Sequence, residues 1–354
     1  GVRIMAYTTI DDPSAYFHTL TYAGNGSNPR SLTNSANAGD FKPDWLWIKN
    51  RSNTYDHAMF DSSRGVDKLL KTNQNNEEGS SAGYHNSFDT NGFTVTANGN
   101  VNNNAENYVA WQWIANGGTT ASNSDGGVTG TIQANTTAGF SIILYTGTGS
   151  TNTVGHGLGD TPDWIIYKRR SGGTRDWIVY HNGTGSKGMI LNSTGQGDTA
   201  SSIFGGNTPT STTIPIGSAT ETNTSSENHV AYAFAEKQGF SKFGGYTGNG
   251  DADGPFVYTG FSPAWIMIKG TDVNGYWVII DTKRNYPNIS GGRLGAQAND
   301  AEYGSSNIDF CSNGFKIRAS GSDSDTNNDG SSYIYMAFAD SPFVSSEGVP
   351  TTAR

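Results

Sequence analysis

Oxygen-bearing side chains recur at every second position in Asp323-x-Asp325-x-Asn327-x-Asp329-Gly330. Carboxylate and amide oxygens at that spacing, closed by a glycine that permits a tight turn, suit a hard cation such as calcium. The bidentate acid that would complete such a loop is missing, because Ser331, Ser332 and Tyr333 follow. A solvated polar turn is therefore the leading reading, with a calcium site on Asp323, Asp325, Asn327 and Asp329 as the alternative. Asp251-x-Asp253-Gly254 is a shorter, weaker version of the same pattern.

Tryptophan and tyrosine rings offer flat apolar faces on which sugars stack. Trp45, Trp164 and Trp265 recur in one repeated context, which fits a shared packing need better than three kept sugar sites. Trp47, Trp111 and Trp113 have no tryptophan counterpart and are the better candidates for a ligand or interface surface. Catalytic patterns are weak. No two carboxylates stand out as a facing acid pair, and Gly-x-Ser-x-Gly is absent. The six histidines show no metal spacing. Asp61 with Arg64, and Asp281 with Arg284, read as local ion pairs at strand ends. The expectation is a chain that is not an enzyme.

The elements that would position these residues come in three copies. Pro43-Asp-Trp-Leu-Trp-Ile-Lys49 returns as Pro162-Asp-Trp-Ile-Ile-Tyr-Lys168 and as Pro263-Ala-Trp-Ile-Met-Ile-Lys269. Proline, then β-branched and aromatic residues, then lysine, reads as a strand entered from a turn and ended by a charge. A Tyr-x-Gly-x-Gly turn precedes each copy (Tyr22–Gly26, Tyr145–Gly149, Tyr246–Gly250). An apolar strand closes each one, at Tyr108–Trp113, His229–Phe234 and Tyr333–Phe338. A hairpin partner ends in Asp61, His181 or Asp281. Asn-Gly-Phe turns at 91–93 and 313–315 mark the first and third copies only. Landmarks in constant order at intervals of about 100–120 residues indicate triplication of a domain-sized unit.

No window carries a sustained helical period, so the class is all-β: three tandem related β-sandwich units of jelly-roll type. The units are placed at 1–116, 139–238 and 239–345. A Gly/Ser/Thr-rich stretch at 117–138 reads as a flexible linker, and 346–354 as a polar tail. Units two and three, joined almost directly, should pack rigidly, with unit one hinged or docked separately. Asp11-Asp-Pro13 should cap one short helical turn.

Composition narrows the function. The chain has 354 residues, a net charge of −9, 15% charged residues, 12% aromatics and 47 glycines. Low charge with many aromatics suits a turn-rich β protein, not a disordered one. The acidic balance argues against phosphate-directed nucleic-acid binding. No run approaches a membrane span. The lone Cys311 excludes an intrachain disulfide and is expected to be buried. The opening Gly1–Met5 is too short and mixed for a signal peptide, and Met5 offers an alternative start.

Ala6-Tyr-Thr-Thr-Ile-Asp-Asp-Pro-Ser-Ala-Tyr-Phe17, Val154-Gly-His-Gly-Leu-Gly159, Gly254-Pro-Phe-Val-Tyr-Thr-Gly-Phe261, Tyr335-Met-Ala-Phe-Ala339 and the Gly348-Val-Pro…Ala353-Arg354 tail resemble a virion structural family of marine tailed bacteriophages. The similarity covers essentially the whole chain. It implies a tail-fibre or appendage subunit on the virion surface, made in the bacterial cytoplasm. It supplies no catalytic residues. Expected partners are the chain itself as a homo-oligomer, most simply a trimer, other virion proteins and host surface glycans, with no nucleic acid, no membrane insertion and no cofactor unless calcium. The alternatives are a carbohydrate-binding or depolymerising tailspike domain and a capsid decoration protein.

Overall fold

The computed structural model describes residues 6–34, 41–80, 82–197, 201–284, 292–304, 307–321 and 323–352. Gly1–Met5 and the last two residues of the expected tail lie outside them. The described chain is almost entirely antiparallel β. Among its few helical turns is the expected one at Pro13–Ala15, where the Asp12 carboxylate accepts from the Ser14 N–H at 3.0 Å.

The first copy carries β1 (Phe17–Ala23), β2 (Arg30–Thr33), β3 (Trp45–Asn50), β4 (Ala58–Asp61), β5 (Lys68–Leu69), β6 (Gly79–Ser80), β7 (His85–Asp89), β8 (Gly92–Val95) and β9 (Asn107–Trp113). Its main sheet runs β1-β9-β3-β4 and a smaller one runs β2-β8-β7. The second carries β10 (Ala121–Asn123), β11 (Gly130–Asn135), β12 (Phe140–Thr146), β13 (Asn152–Gly155), β14 (Trp164–Arg169), β15 (Ile178–His181), β16 (Met189–Ile190), β17 (Thr213–Ile216) and β18 (Asn228–Phe234). Its main sheet is β10-β11-β12-β18-β14-β15-β16, with β13 paired to β17. The third carries β19 (Ser241–Thr247), β20 (Phe256–Tyr258), β21 (Phe261–Gly270), β22 (Val278–Asp281), β23 (Leu294–Gly295), β24 (Ile308–Cys311), β25 (Gly314–Ile317) and β26 (Ser332–Pro342). Here the sheets are β19-β26-β21-β22-β23 and β20-β25-β24. One strand order is common to all three: opening strand, closing strand, tryptophan strand, hairpin partner. Trp45 faces Asp61, Trp164 faces His181 and Trp265 faces Asp281 across their hairpins.

Every residue of β3, β4, β14 and β15 is buried, which a one-sided sheet cannot produce. The strand alternation resolves it. On β3, Leu46 and Ile48 join a local core with Leu32, Phe93 and Val95 of the small sheet. Ile165 and Tyr167, then Ile266 and Ile268, do the same in the other copies. The intervening Trp45, Trp47, Trp164, Ile166, Trp265 and Met267 point the other way, into one central core shared by all three main sheets. There Trp45 stacks on Tyr232 at 4.8 Å and Phe17 on Phe338 at 5.2 Å. Trp113 meets Trp265 edge-on at 5.7 Å, as Trp164 meets Trp277 at 6.0 Å. Residues of the three copies thus close a ring around a tryptophan-rich centre, which we describe as three modules.

Three expectations are corrected. The 117–138 segment is no free linker: β10 and β11 extend the second module's main sheet, and the Gln133 amide donates to Ser62 and Ser63 of the first at 3.0 and 2.7 Å. The first module is not hinged either, because its tryptophans lie inside the shared core. Cys311 is half-buried on the outward face of β24 instead of enclosed. Among the described residues, no helix is long and apolar enough to cross a membrane.

Candidate functional site

Trp47, Trp111 and Trp113, expected as a ligand surface, are 0%, 0% and 1% exposed. Alternation along β3 and β9 turns them to the central core, so no external ligand reaches them. They do form an interface, but one between modules of the same chain.

In the Asp323–Asp329 segment Asp323, Asp325 and Asn327 engage protein partners. Asp323 and Asp325 both face the Arg293 guanidinium, at 3.4 and 3.2 Å. Asp325 also accepts from the Tyr276 N–H at 2.7 Å, and Asp329 is exposed. Asn327 is buried and engaged with backbone: it accepts from Asn249 N–H at 3.0 Å and donates to the carbonyls of Asp251 and Ala319 at 2.9 and 2.7 Å. Among the described residues no group of three His, Cys, Asp or Glu side chains is placed to hold a metal ion.

Asn327 is in fact a repeated clamp. Asn102, Asn223 and Asn327 each stand six residues before the closing-strand ring (108 − 102, 229 − 223, 333 − 327) and each is buried. Each accepts from the middle of its Tyr-x-Gly-x-Gly turn, from Asn25, Thr148 or Asn249. Each donates back to the carbonyl of Ser27, Ser150 or Asp251. The turn's tyrosine stacks on the closing strand's ring at 5.1, 5.0 and 5.1 Å. A side chain on Gly24, Gly147 or Gly248 would strike a carbonyl 1.9–2.4 Å away, hence the first glycine. The second adopts φ of 66–75°, hence the other. Asn327→Asp should therefore destabilise by about 2–4 kcal/mol, since a carboxylate would face two carbonyls. Urea unfolding with and without millimolar calcium checks this; calcium-dependent stabilisation of the variant would restore the ligand reading.

The densest polar chemistry lies at the seams. At the seam of modules one and two, Asp61 accepts from Arg64 and from the Tyr232 hydroxyl at 2.6 Å. Arg64 reaches Glu78 at 3.1 Å, and Glu78 reaches Arg170 at 2.8 Å. The seam of modules three and one repeats this: Asp281 accepts from Arg284 at 2.6 Å and from the Trp111 indole at 2.9 Å. Arg284 reaches Glu302 at 3.4 Å, which pairs with Arg51. Trp111, Tyr232 and Met336 occupy equivalent places on β9, β18 and β26. The seam of modules two and three has His181 for the aspartate and Met336 for the donor. The His181 Nδ1 accepts from Gly183 N–H at 2.9 Å. A cleft of about 530 Å³ opens there beside Phe243, Gly244 and Tyr246.

All three seams share two further joints. Lys49, Lys168 and Lys269, read from sequence as charged strand ends, are fully buried and donate to the carbonyls of Asn299, Asn75 and Thr194 in the neighbouring module. Burial holds them down to about 8, 7 and 8 respectively. Ring N–H groups of His57, Trp177 and Trp277 meet the carbonyls of Gly295, Lys71 and Ile190. The His57 Nδ1 accepts from Trp47, which leaves the proton on Nε2. The sequence showed the local Asp–Arg pairs; their extension between modules carries no local signal.

A family model described as a domain of unknown function, DUF7483, matches residues 12–342. No curated protein and no solved structure matches the chain.

Proposed function

The chain belongs to the DUF7483 family, and since that match spans all three modules, we propose that it acts as one non-enzymatic structural body: a tail-fibre or appendage part of a tailed-phage virion that presents β surfaces for assembly and attachment. Each module is read as a small β-sandwich, its main and minor sheets enclosing a local core, with the tandem three fused into an internal trimer. The observation that carries the reading is the cyclic exchange at the seams. Asp61, Asp281, Arg64, Arg284 and the three lysines, groups that elsewhere serve acid–base chemistry, are buried and engaged in joining modules. Such a body gains rigidity from its shared apolar core and buried polar seams and leaves recognition to its outer faces. The virion setting comes from the family resemblance of the sequence.

The expected homo-trimer gives way in this reading to a single-chain unit, which the threefold arrangement of modules inside one chain supports. Light scattering on the purified protein should give a mass near 37.6 kDa. Gold-labelled antibodies should mark the tail or its appendages in electron micrographs of virions. Trimeric mass in solution would sink the single-chain unit, and absence of label from particles would sink the virion part.

A further inference from the structure

Most large apolar side chains are inside; among the described residues the exposed ones are Val66, Phe256, Tyr258 and Val349. The two rings, 47% and 53% exposed, sit at alternate positions of β20, the edge of the third module's small sheet. They therefore project from one face, roughly 7 Å apart. The first module shows that the fold does not require them. Its β2-β8-β7 sheet carries the same Asn-Gly-Phe turn, and there Ser31 and Thr33 pair with Thr94 and Gly92. In the third module Phe256 and Tyr258 pair with Lys316 and Gly314 at the same register. Leu32 and Val257, between the outward residues, are buried in both. Inside, the two sheets match; outside, hydroxyls have given way to rings.

We propose that this face is a binding platform for a neutral pyranose-containing glycan. Two half-exposed rings offer about 200 Å² of apolar surface, well below the roughly 800 Å² per partner of a stable protein interface. The charges around them are matched: Lys316 pairs with Asp253 and Arg318 with Asp309, both at 2.7 Å, leaving no excess to draw an anionic surface. Gly314 has no side chain, and the Phe256 ring lies close against it. A flat apolar surface rimmed by donors and acceptors matches a sugar ring, whose C–H face stacks on aromatics while its hydroxyls take hydrogen bonds from the rim. This deepens the attachment reading above and rests on it.

The test uses the full chain and the double variant Phe256→Ser/Tyr258→Thr, which carries the first module's own residues and should melt like the wild type. Saturation-transfer NMR with gluco-, manno- and N-acetylglucosamine oligosaccharides and bacterial O-polysaccharide should show transfer from the wild-type protein to the glycan. Affinity should fall about tenfold or more in the variant. Equal binding by the variant, or no transfer to any of these glycans at millimolar concentration, would overturn the platform. Glycan binding by a chain that antibodies fail to find on particles would instead count against the virion reading alone.

Discussion

Replacing Arg64 by methionine should destabilise the chain by about 3–5 kcal/mol, although methionine keeps much of the volume. Asp61 and Arg64 have side chains with no solvent access, and the carboxylate is held by the guanidinium, the Arg64 N–H and Tyr232. Removing the cation leaves a charge in the dry interior and also frees Glu78, which links Arg64 to Arg170. Arg284→Met should cost a similar amount, through Glu302 and Arg51. The double variant Asp61→Asn/Arg64→Met should recover most of the loss, because removing both charges removes the desolvation penalty that the single change exposes. Equilibrium urea unfolding measures each. A loss below about 1 kcal/mol for Arg64→Met would mean that the chain of ion pairs does not hold modules one and two together.

The second large effect is acid unfolding. All six histidines are buried, and burial lowers the pKa of each: His18, His85, His181 and His229 to about 4, with His57 and His156 lowered as well. An unfolded histidine titrates near 6.5. Between those values the unfolded chain binds protons that the folded chain refuses, so stability falls as pH drops from about 6.5 to 4. Each strongly shifted histidine contributes on the order of 2–3 kcal/mol to that fall. Lys168, near 7, and Lys49 and Lys269, near 8, act in the same direction at higher pH. An unfolded lysine stays charged to about 10.4, so stability is gained as pH rises from 7–8 toward 10. The melting temperature should therefore peak on the alkaline side of neutral and drop steeply below pH 6. Scanning calorimetry at constant ionic strength checks this, and melting at pH 5 within a few degrees of that at pH 8 would refute it.

The repeat, the hairpins and the all-β class were legible because proline, tryptophan and lysine recur in fixed order, as do the glycine turns. What stayed hidden is that both faces of each main sheet are covered. With both faces covered, Trp47, Trp111 and Trp113 look like surplus rings, and Lys49, Lys168 and Lys269 look like solvent-facing ends. Asn327 was concealed by its neighbours: three aspartates around it imitate a cation loop, whereas Asn102 and Asn223 in plainer surroundings reveal a clamp. The 117–138 segment shows the same limit. The edge strand β10 and the start of its neighbour β11 are built from the polar, small residues that flexible connectors also use. Contacts such as Tyr232 to Asp61 join residues far apart in the chain and leave no spacing to read.

The seam that substitutes His181 and Met336 for an aspartate and its donor also joins the two modules with the shortest covalent connection, from Phe234 at the end of β18 to Ser241 at the start of β19. A tether of that length keeps its two modules at a high effective concentration, so their docking needs little added affinity. Between modules one and two the chain first adds β10 and β11 to the second module's main sheet before it enters the four strands common to all three, and three and one have no direct covalent connection; these two pairs carry the ionic chains. Cutting the backbone between Phe234 and Ser241 should thus loosen the molecule more than a nick in the β10–β11 hairpin would.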